Sequence, residues 1–203
     1  MSVRLVVLIR HAESVLNAAG IVNGDPHRHG PLTATGEAQA RRLRQQLRNV
    51  RFDVAICTRF ARTRQTAELA LEGMQVPLTV EPHLDDINVG ALDGGTILEY
   101  RRWKRHHARG DVFPGGGESL DAAAKRYAHA LRSLCERDER AIAVFCHAMP
   151  IRYALDAGAG VPTLDVSDTA VPHATPFLFD QSSLAHAADR LAALAAAAAR
   201  RSA

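Results

Sequence analysis

Two histidines, each closing a run of apolar residues, carry the most chemistry in this chain. The first run, Val3 to Ile9, ends on Arg10-His11-Ala12-Glu13-Ser14, and the second, Ala141 to Phe145, ends on Cys146-His147-Ala148. Arginine presents a planar fork of donors matched to phosphate, and a neutral imidazole beside it is a competent nucleophile. Nearby guanidinium charge disfavours the imidazolium and so keeps the ring neutral. A further cluster, Thr58-Arg59-Phe60-Ala61-Arg62-Thr63-Arg64-Gln65-Thr66-Ala67, places Arg62 near a helix start, which itself attracts anions. The plain alternative there is a solvated basic helix start. His147 precedes Pro150, a residue suited to the first helical turn, so it stands at a strand-to-helix junction with backbone N–H groups behind it. It either donates to an oxygen of a transferring group or is a satisfied core histidine.

The elements that aim these residues follow from periodicity. Both apolar runs read as buried strands of a mostly parallel sheet, and such sheets bind ligands just beyond the carboxyl ends of their strands. A loop rich in Gly, Asn, His and Pro runs from Asn17 to Pro31, and a helix starts near Thr35 with an apolar stripe of Ala40, Leu43 and Leu47. Asp53 to Cys57 is a second strand, Arg62 to Leu71 a helix, and Pro77 to Val80 a third strand. The span from Asp85 to Gly117 is irregular and glycine-rich, with a short basic helix over Thr96 to Arg109. A strong helix covers Ser119 to Arg137, then come the strand ending at His147, a helix from about Pro150 and a last strand near Thr175 to Phe179. The β-α alternation predicts an α/β fold, a three-layer α/β/α sandwich on a mostly parallel sheet. The Ala-rich tail from Leu184 to about 200 is helical by propensity, with Arg200 and Arg201 suited to its negative end.

Composition bounds the partners. The chain has 203 residues, 47% of them hydrophobic, which suits one domain over 1–203 with a substantial core. Lys+Arg 25 against Asp+Glu 22 is too small an excess to argue for nucleic acid, and 5% aromatics offers little stacking surface. Cys57, Cys135 and Cys146 form no CxxC pair, which disfavours a disulfide framework and a zinc site. A reducing cytoplasm is the expected compartment. The first apolar run is too short to span a membrane and lacks a signal-cleavage pattern, so no membrane partner is expected. Nothing in the pattern speaks to oligomeric state.

Taken in order, the motifs resemble the histidine phosphatase superfamily, also called phosphoglycerate mutase-like. The resemblance runs from Val3 to Phe179 and rests on Leu8-Ile9-Arg10-His11-Ala12-Glu13-Ser14 with Asn17, on Leu32-Thr33-Ala34-Thr35-Gly36-Glu37-Ala38-Gln39-Ala40, and on the cluster around Arg62. Gly115-Gly116-Gly117-Glu118-Ser119 with Arg126, and His147 with Ile151-Arg152, complete it. The resemblance implies that His11 attacks phosphorus and becomes a phosphohistidine, and that Arg10, Arg62 and His147 cradle the phosphoryl oxygens. It puts Asn17 at the rim and Gly24 against the substrate. Asp86 takes the position of the family's proton-donating glutamate, with Asp85 and Asp93 as local alternatives and a solvated acidic loop as the plain reading. Ala12 and Ala148 replace glycines, which matters if either position needs positive φ. His173 replaces what is often an asparagine.

The implied activity is a metal-independent and cofactor-free phosphomonoesterase acting on a small phosphorylated metabolite. Family mutases carry a longer insertion than the span from Asp86 to Gly117, which favours a phosphatase over a mutase. A basic, lid-like insertion over about 94–114, with Arg101, Arg102, Lys104, Arg105, His106, His107 and Arg109, is either a solvated face or an attractor for substrates of extra negative charge. A non-catalytic phospholigand-binding domain is the reading from another class.

Overall fold

Register between strands is what brings distant residues to one edge of this molecule. The computed structural model describes residues 4–164 and 171–201. Val3 and the side chains of Arg200 and Arg201 lie outside the described residues. In chain order the elements are β1 (Leu5–Arg10), α1 (Val15–Ala18), α2 (Ala34–Leu47), β2 (Val54–Cys57), α3 (Ala61–Ala70) and β3 (Leu78–Val80). There follow α4 (Ile97–His106), α5 (Leu120–Glu136), β4 (Ala141–Cys146), α6 (Ala148–Gly158), β5 (Pro176–Asp180) and α7 (Gln181–Arg201). The five strands form one sheet in the order β3-β2-β4-β1-β5. All neighbours are parallel except β5, which runs antiparallel to β1.

Period-two alternation sorts the strand side chains between two layers. Val6, Leu8, Ile142 and Val144 face α5, α6 and α7, packing with Tyr127, Leu131, Ile151 and Leu191. Val7, Ile9, Ala143 and Phe145 face α2 and α3, packing with Leu43, Leu47, Ala67 and Ala70. Both faces of the sheet are therefore covered, which is why its strands read as continuous apolar runs. Each large aliphatic side chain so buried contributes about 1.5–3 kcal/mol. The molecule is a three-layer α/β/α sandwich on a mostly parallel sheet.

The register sets the functional edge. Arg10 lies opposite Cys146, and Cys57 opposite Phe145, so β1, β4 and β2 end nearly level. The next residues, His11, His147 and Thr58, must emerge side by side. The His11 amide continues the ladder by donating to the Cys146 carbonyl at 3.0 Å.

Capping explains where observed boundaries depart from the expected ones. The tail helix starts at Gln181, ahead of the expected Leu184, because the Asp180 carboxylate accepts from the Ser183 amide at 2.7 Å. It docks through Leu184, Ala187, Ala188, Leu191 and Ala195. The unforeseen α1 breaks the loop after β1 and is held by a capping box between Ser14 and Asn17. A Thr96–Glu99 capping box starts α4, whose last turn carries Lys104, Arg105 and His106. Among the described residues, no helix is long and apolar enough to cross a membrane.

Candidate active site

Three loops following β1, β2 and β4, and the first turn of α3, supply one cluster of side chains. His11 is 2% exposed, Arg62 3% and His147 0%. The two imidazoles meet edge to face with centroids 5.3 Å apart, and Arg62 bridges them. Its Nε donates to His11 Nε2 at 3.1 Å, and its Nη2 donates to His147 Nδ1 at 3.2 Å. The space between the two rings is thus spanned by the guanidinium itself.

Hydrogen bonding fixes both tautomers, because a carbonyl only accepts and a guanidinium only donates. His11 Nδ1 donates to the Ala12 carbonyl at 2.8 Å, which leaves Nε2 with the lone pair that accepts from Arg62. His147 accepts at Nδ1, so its Nε2–H donates to Thr58 Oγ1 at 3.0 Å. The relay continues from Thr58 to Thr63 Oγ1 at 2.9 Å and on to the Phe60 carbonyl at 2.8 Å. Every donor in that chain has an acceptor, so the ring is locked.

Arg62 is itself held on all sides. Its Nη2 donates to Asp86 Oδ2 at 3.0 Å and to the Asn23 carbonyl at 3.2 Å, while Nη1 donates to Asn23 Oδ1. Its guanidinium carbon lies 4.2 Å over the Phe60 ring. Asp86 Oδ2 also comes within 3.5 Å of His147 Nδ1, and this side chain is 26% exposed. The neighbouring carboxylates are spoken for. Asp85 accepts from the Arg59 amide and Nε at 2.9 and 2.6 Å. Asp93 accepts from the Gly24 amide at 2.7 Å and from Arg28.

The glycine-rich motif positions Asp86 from behind. Glu118 accepts from the Asn88 amide at 3.0 Å and pairs with Arg126, whose Nη1 donates to the Asp85 carbonyl at 3.0 Å. Similarly, Gln39 and Gln65 accept from the Glu13 and Leu32 amides at 2.9 Å, tying the loop after His11 to α2 and α3. Gly36 is required there, since a Cβ would sit 2.0 Å from the Glu13 carbonyl oxygen. Gly24 is required on the other side, where a Cβ would sit 2.3 Å from the Ile87 carbonyl oxygen.

Two further expected residues stand apart from the cluster's bonds. Arg10 Nη1 donates to the Val171 carbonyl at 2.6 Å, and its buried Nε has no partner among the described residues. Asn17 is exposed, and its Oδ1 accepts from the Ser14 amide and hydroxyl as part of the α1 cap. Ala12 and Ala148 do not adopt positive φ, so alanine costs nothing at either place.

The sequence pattern of the histidine phosphatase superfamily (branch 1) matches residues 6–182. The chain belongs to this superfamily. Over 136 residues it is 35% identical to the Photorhabdus laumondii protein named "Probable phosphoglycerate mutase GpmB", a match spanning 63% of this chain and 61% of that one. It is 32% identical over 143 residues to the adenosylcobalamin/alpha-ribazole phosphatase of Escherichia coli, spanning 67% of this chain and 64% of that one. Less than two thirds of either relative's length is matched. Among solved structures, the alpha-ribazole phosphatase from Shigella flexneri superposes with a TM-score of 0.69 at 27% identity, covering 78% of this chain and 81% of that one.

The electrostatics of this histidine phosphatase site follow from its burial and its arginines. Burial, reinforced by Arg62, holds His11 well below the ordinary imidazole range. Burial, then Arg62, does the same to His147. Burial pushes Asp86 above the usual carboxylate range, against the pull of Arg62. The site therefore holds two neutral imidazoles and an acid that keeps its proton to higher pH than a surface aspartate does.

Sequence reasoning missed Asn23, Thr58 and Thr63. Thr58 and Thr63 lie inside the motif quoted around Arg62, and Asn23 precedes Gly24. No period or spacing marks them, because their roles exist only once β2, β4 and the loop after α1 are brought together.

Proposed function

We propose that this protein is a phosphomonoesterase that works through a phosphohistidine at His11, without a metal or other cofactor. The observation that carries the reading is the tautomer of His11. Its Nδ1–H is committed to the Ala12 carbonyl, so the basic Nε2 faces Arg62 and His147. A nucleophile aimed between a guanidinium and a second imidazole suits phosphoryl transfer, which needs positioning and positive charge around three equatorial oxygens.

In the proposed reaction the phosphoryl group enters between the two rings. Arg62 exchanges its bond to His11 Nε2 for bonds to phosphoryl oxygens. Nε2 attacks phosphorus, the ester P–O bond breaks, and Asp86 gives its proton to the departing oxygen. Water then attacks the phosphohistidine and loses a proton to the Asp86 carboxylate. The N–P bond breaks, phosphate leaves, and both side chains return to their starting states. Arg10 supplies the second cation: its charge bears on both His11 and His147. Gly24 borders the substrate here, as its place against the Asp86 loop suggests. Asn17 belongs to the rim, and the substrate is a small phosphorylated metabolite.

The alternative, phosphoryl return to a bound product as in a mutase, is favoured by the phosphoglycerate mutase name that the Photorhabdus relative and several Yersinia relatives carry. Incubation with 3-phosphoglycerate separates the two: free phosphate supports the hydrolase, and 2-phosphoglycerate without phosphate release overturns it.

Asp86 gives the reading its pH dependence. Activity should rise as His11 loses its proton, below the ordinary imidazole value, and fall as Asp86 loses its own, above the ordinary carboxylate value. Asp86→Asn should remove the falling limb. It should also lower kcat/KM, which reports the phosphorylation half-reaction alone, about 10²–10³-fold for alkyl phosphates. For p-nitrophenyl phosphate, whose leaving group needs no proton, the loss should stay under about tenfold. Equal losses on both ester types would refute the role of Asp86 as proton donor.

A further inference from the structure

A third imidazole lies against the nucleophile. The His173 ring sits 5.3 Å from the His11 ring, tilted by 54°. Its Nδ1 is 2.9 Å from the His11 carbonyl oxygen, and since the carbonyl only accepts, Nδ1 carries the proton. This contact completes a three-point grip on the nucleophile's backbone. The His11 amide is held by the Cys146 carbonyl at 3.0 Å. The Ala12 amide is held by Thr66 Oγ1 at 3.0 Å, and the His11 carbonyl by His173.

The segment that presents His173 is built with strain. Ala174 has φ 49°, the one positive φ outside glycine among the described residues. An alanine held there carries backbone strain. The turn is kept by bonds to the end of β1: the Ala174 amide donates to the Arg10 carbonyl at 3.0 Å, and Arg10 Nη1 donates to the Val171 carbonyl at 2.6 Å. The strap from Val171 to Ala174 thus grips Arg10 and His11 together, and it is strained at the residue next to the imidazole. Strain of that kind persists where the surrounding structure enforces one geometry.

We propose that His173 is a positioning residue of the phosphoryl-transfer site, whose Nδ1–H fixes the peptide of His11 and so the direction of its Nε2. The inference rests on the reading of His11 as the nucleophile. The groups facing His173 are Arg10 at the end of β1, Arg62 on α3, and His11 and Glu13 in the loop after β1. Burial and Arg10 lower its pKa, while the His11 carbonyl and Glu13 oppose them. His173 therefore takes up a proton only below the ordinary imidazole range, and a proton gained there adds a cation beside the nucleophile.

The full chain and its His173→Ala and His173→Asn variants should be compared in kcat, KM, pH profile, thermal midpoint and orthovanadate affinity. A misdirected nucleophile should lower kcat about tenfold in His173→Ala while KM stays within about twofold. His173→Asn, whose amide donates to the same carbonyl, should recover kcat at neutral pH to within about threefold, yet lose the ionisation of His173 from the acid limb. Orthovanadate affinity should fall about tenfold in His173→Ala and return in His173→Asn. Wild-type kcat and pH profile in His173→Ala would overturn the proposal, and so would equal impairment of the two variants. Should His173→Ala fail to fold, His173→Phe, which keeps a ring but has no donor, decides: a kcat about tenfold lower with KM unchanged supports the role, and a wild-type kcat overturns it. If the wild type hydrolyses no phosphate ester, the hydrolase reading fails by itself. Orthovanadate affinity then judges His173, and equal affinities in all three proteins overturn its role.

Discussion

His11→Ala should lower kcat for any phosphate monoester by about 10⁴-fold or more while the protein stays folded. Both rings accept from Arg62, His11 at Nε2 and His147 at Nδ1. But His147 is also locked through its Nε2–H to the Thr58 relay and faces Asp86 at Nδ1, so the proposed reaction assigns the attack to His11. The substitution removes a buried ring but leaves the backbone ladder to Cys146 intact, so circular dichroism should be unchanged. Orthovanadate should still bind, because Arg10, Arg62 and His147 remain. Activity within about tenfold of the wild type would exclude covalent catalysis at His11.

Arg62→Ala should cost about 10³-fold or more in kcat, comparable with loss of a phosphoryl-stabilising arginine elsewhere. The residue does more than bring charge. It bonds His11, His147, Asp86 and Asn23 at once, so its loss also leaves buried polar partners unsatisfied. Arg62→Lys should recover less than about a tenth of the activity, since a point charge cannot donate in those directions together. The pH profile offers a check of sign. Arg62 is the leading charge that opposes the rise of Asp86, so without it Asp86 should hold its proton to higher pH. The falling limb should therefore move towards alkaline pH. A limb that stays put would show that the proton donor is another group.

Much of the architecture was legible because burial on both faces makes parallel strands apolar throughout. Val6 to Ile9 and Ile142 to Phe145 are such runs, and the residues after them are therefore at the ligand-binding edge. The motifs around Gly36, Gln39, Gln65 and Glu118 were legible as patterns but not as parts. Their purpose is to lash the His11 and Asp86 loops in place, and this depends on contacts across the fold. Asn17 illustrates the reverse: a polar residue legible in the right stretch, whose capping of α1 was not. The direct Arg62–His11 bond was hidden for the same reason, since it depends on where two helices and three strand ends come to rest. His173 was visible only as a departure from an asparagine, and its contact with the His11 carbonyl arises because β5 returns antiparallel beside β1.

The central claim is that a phosphoryl group passes through Nε2 of His11. Its most direct test is to quench the wild-type protein in alkali during turnover and map the phosphorylated peptide by mass spectrometry. The account predicts one acid-labile phosphoryl group on the peptide bearing His11, absent from His11→Ala. Phosphoryl carried by a different side chain, or a His11 peptide that stays unmodified while substrate is consumed, would contradict it.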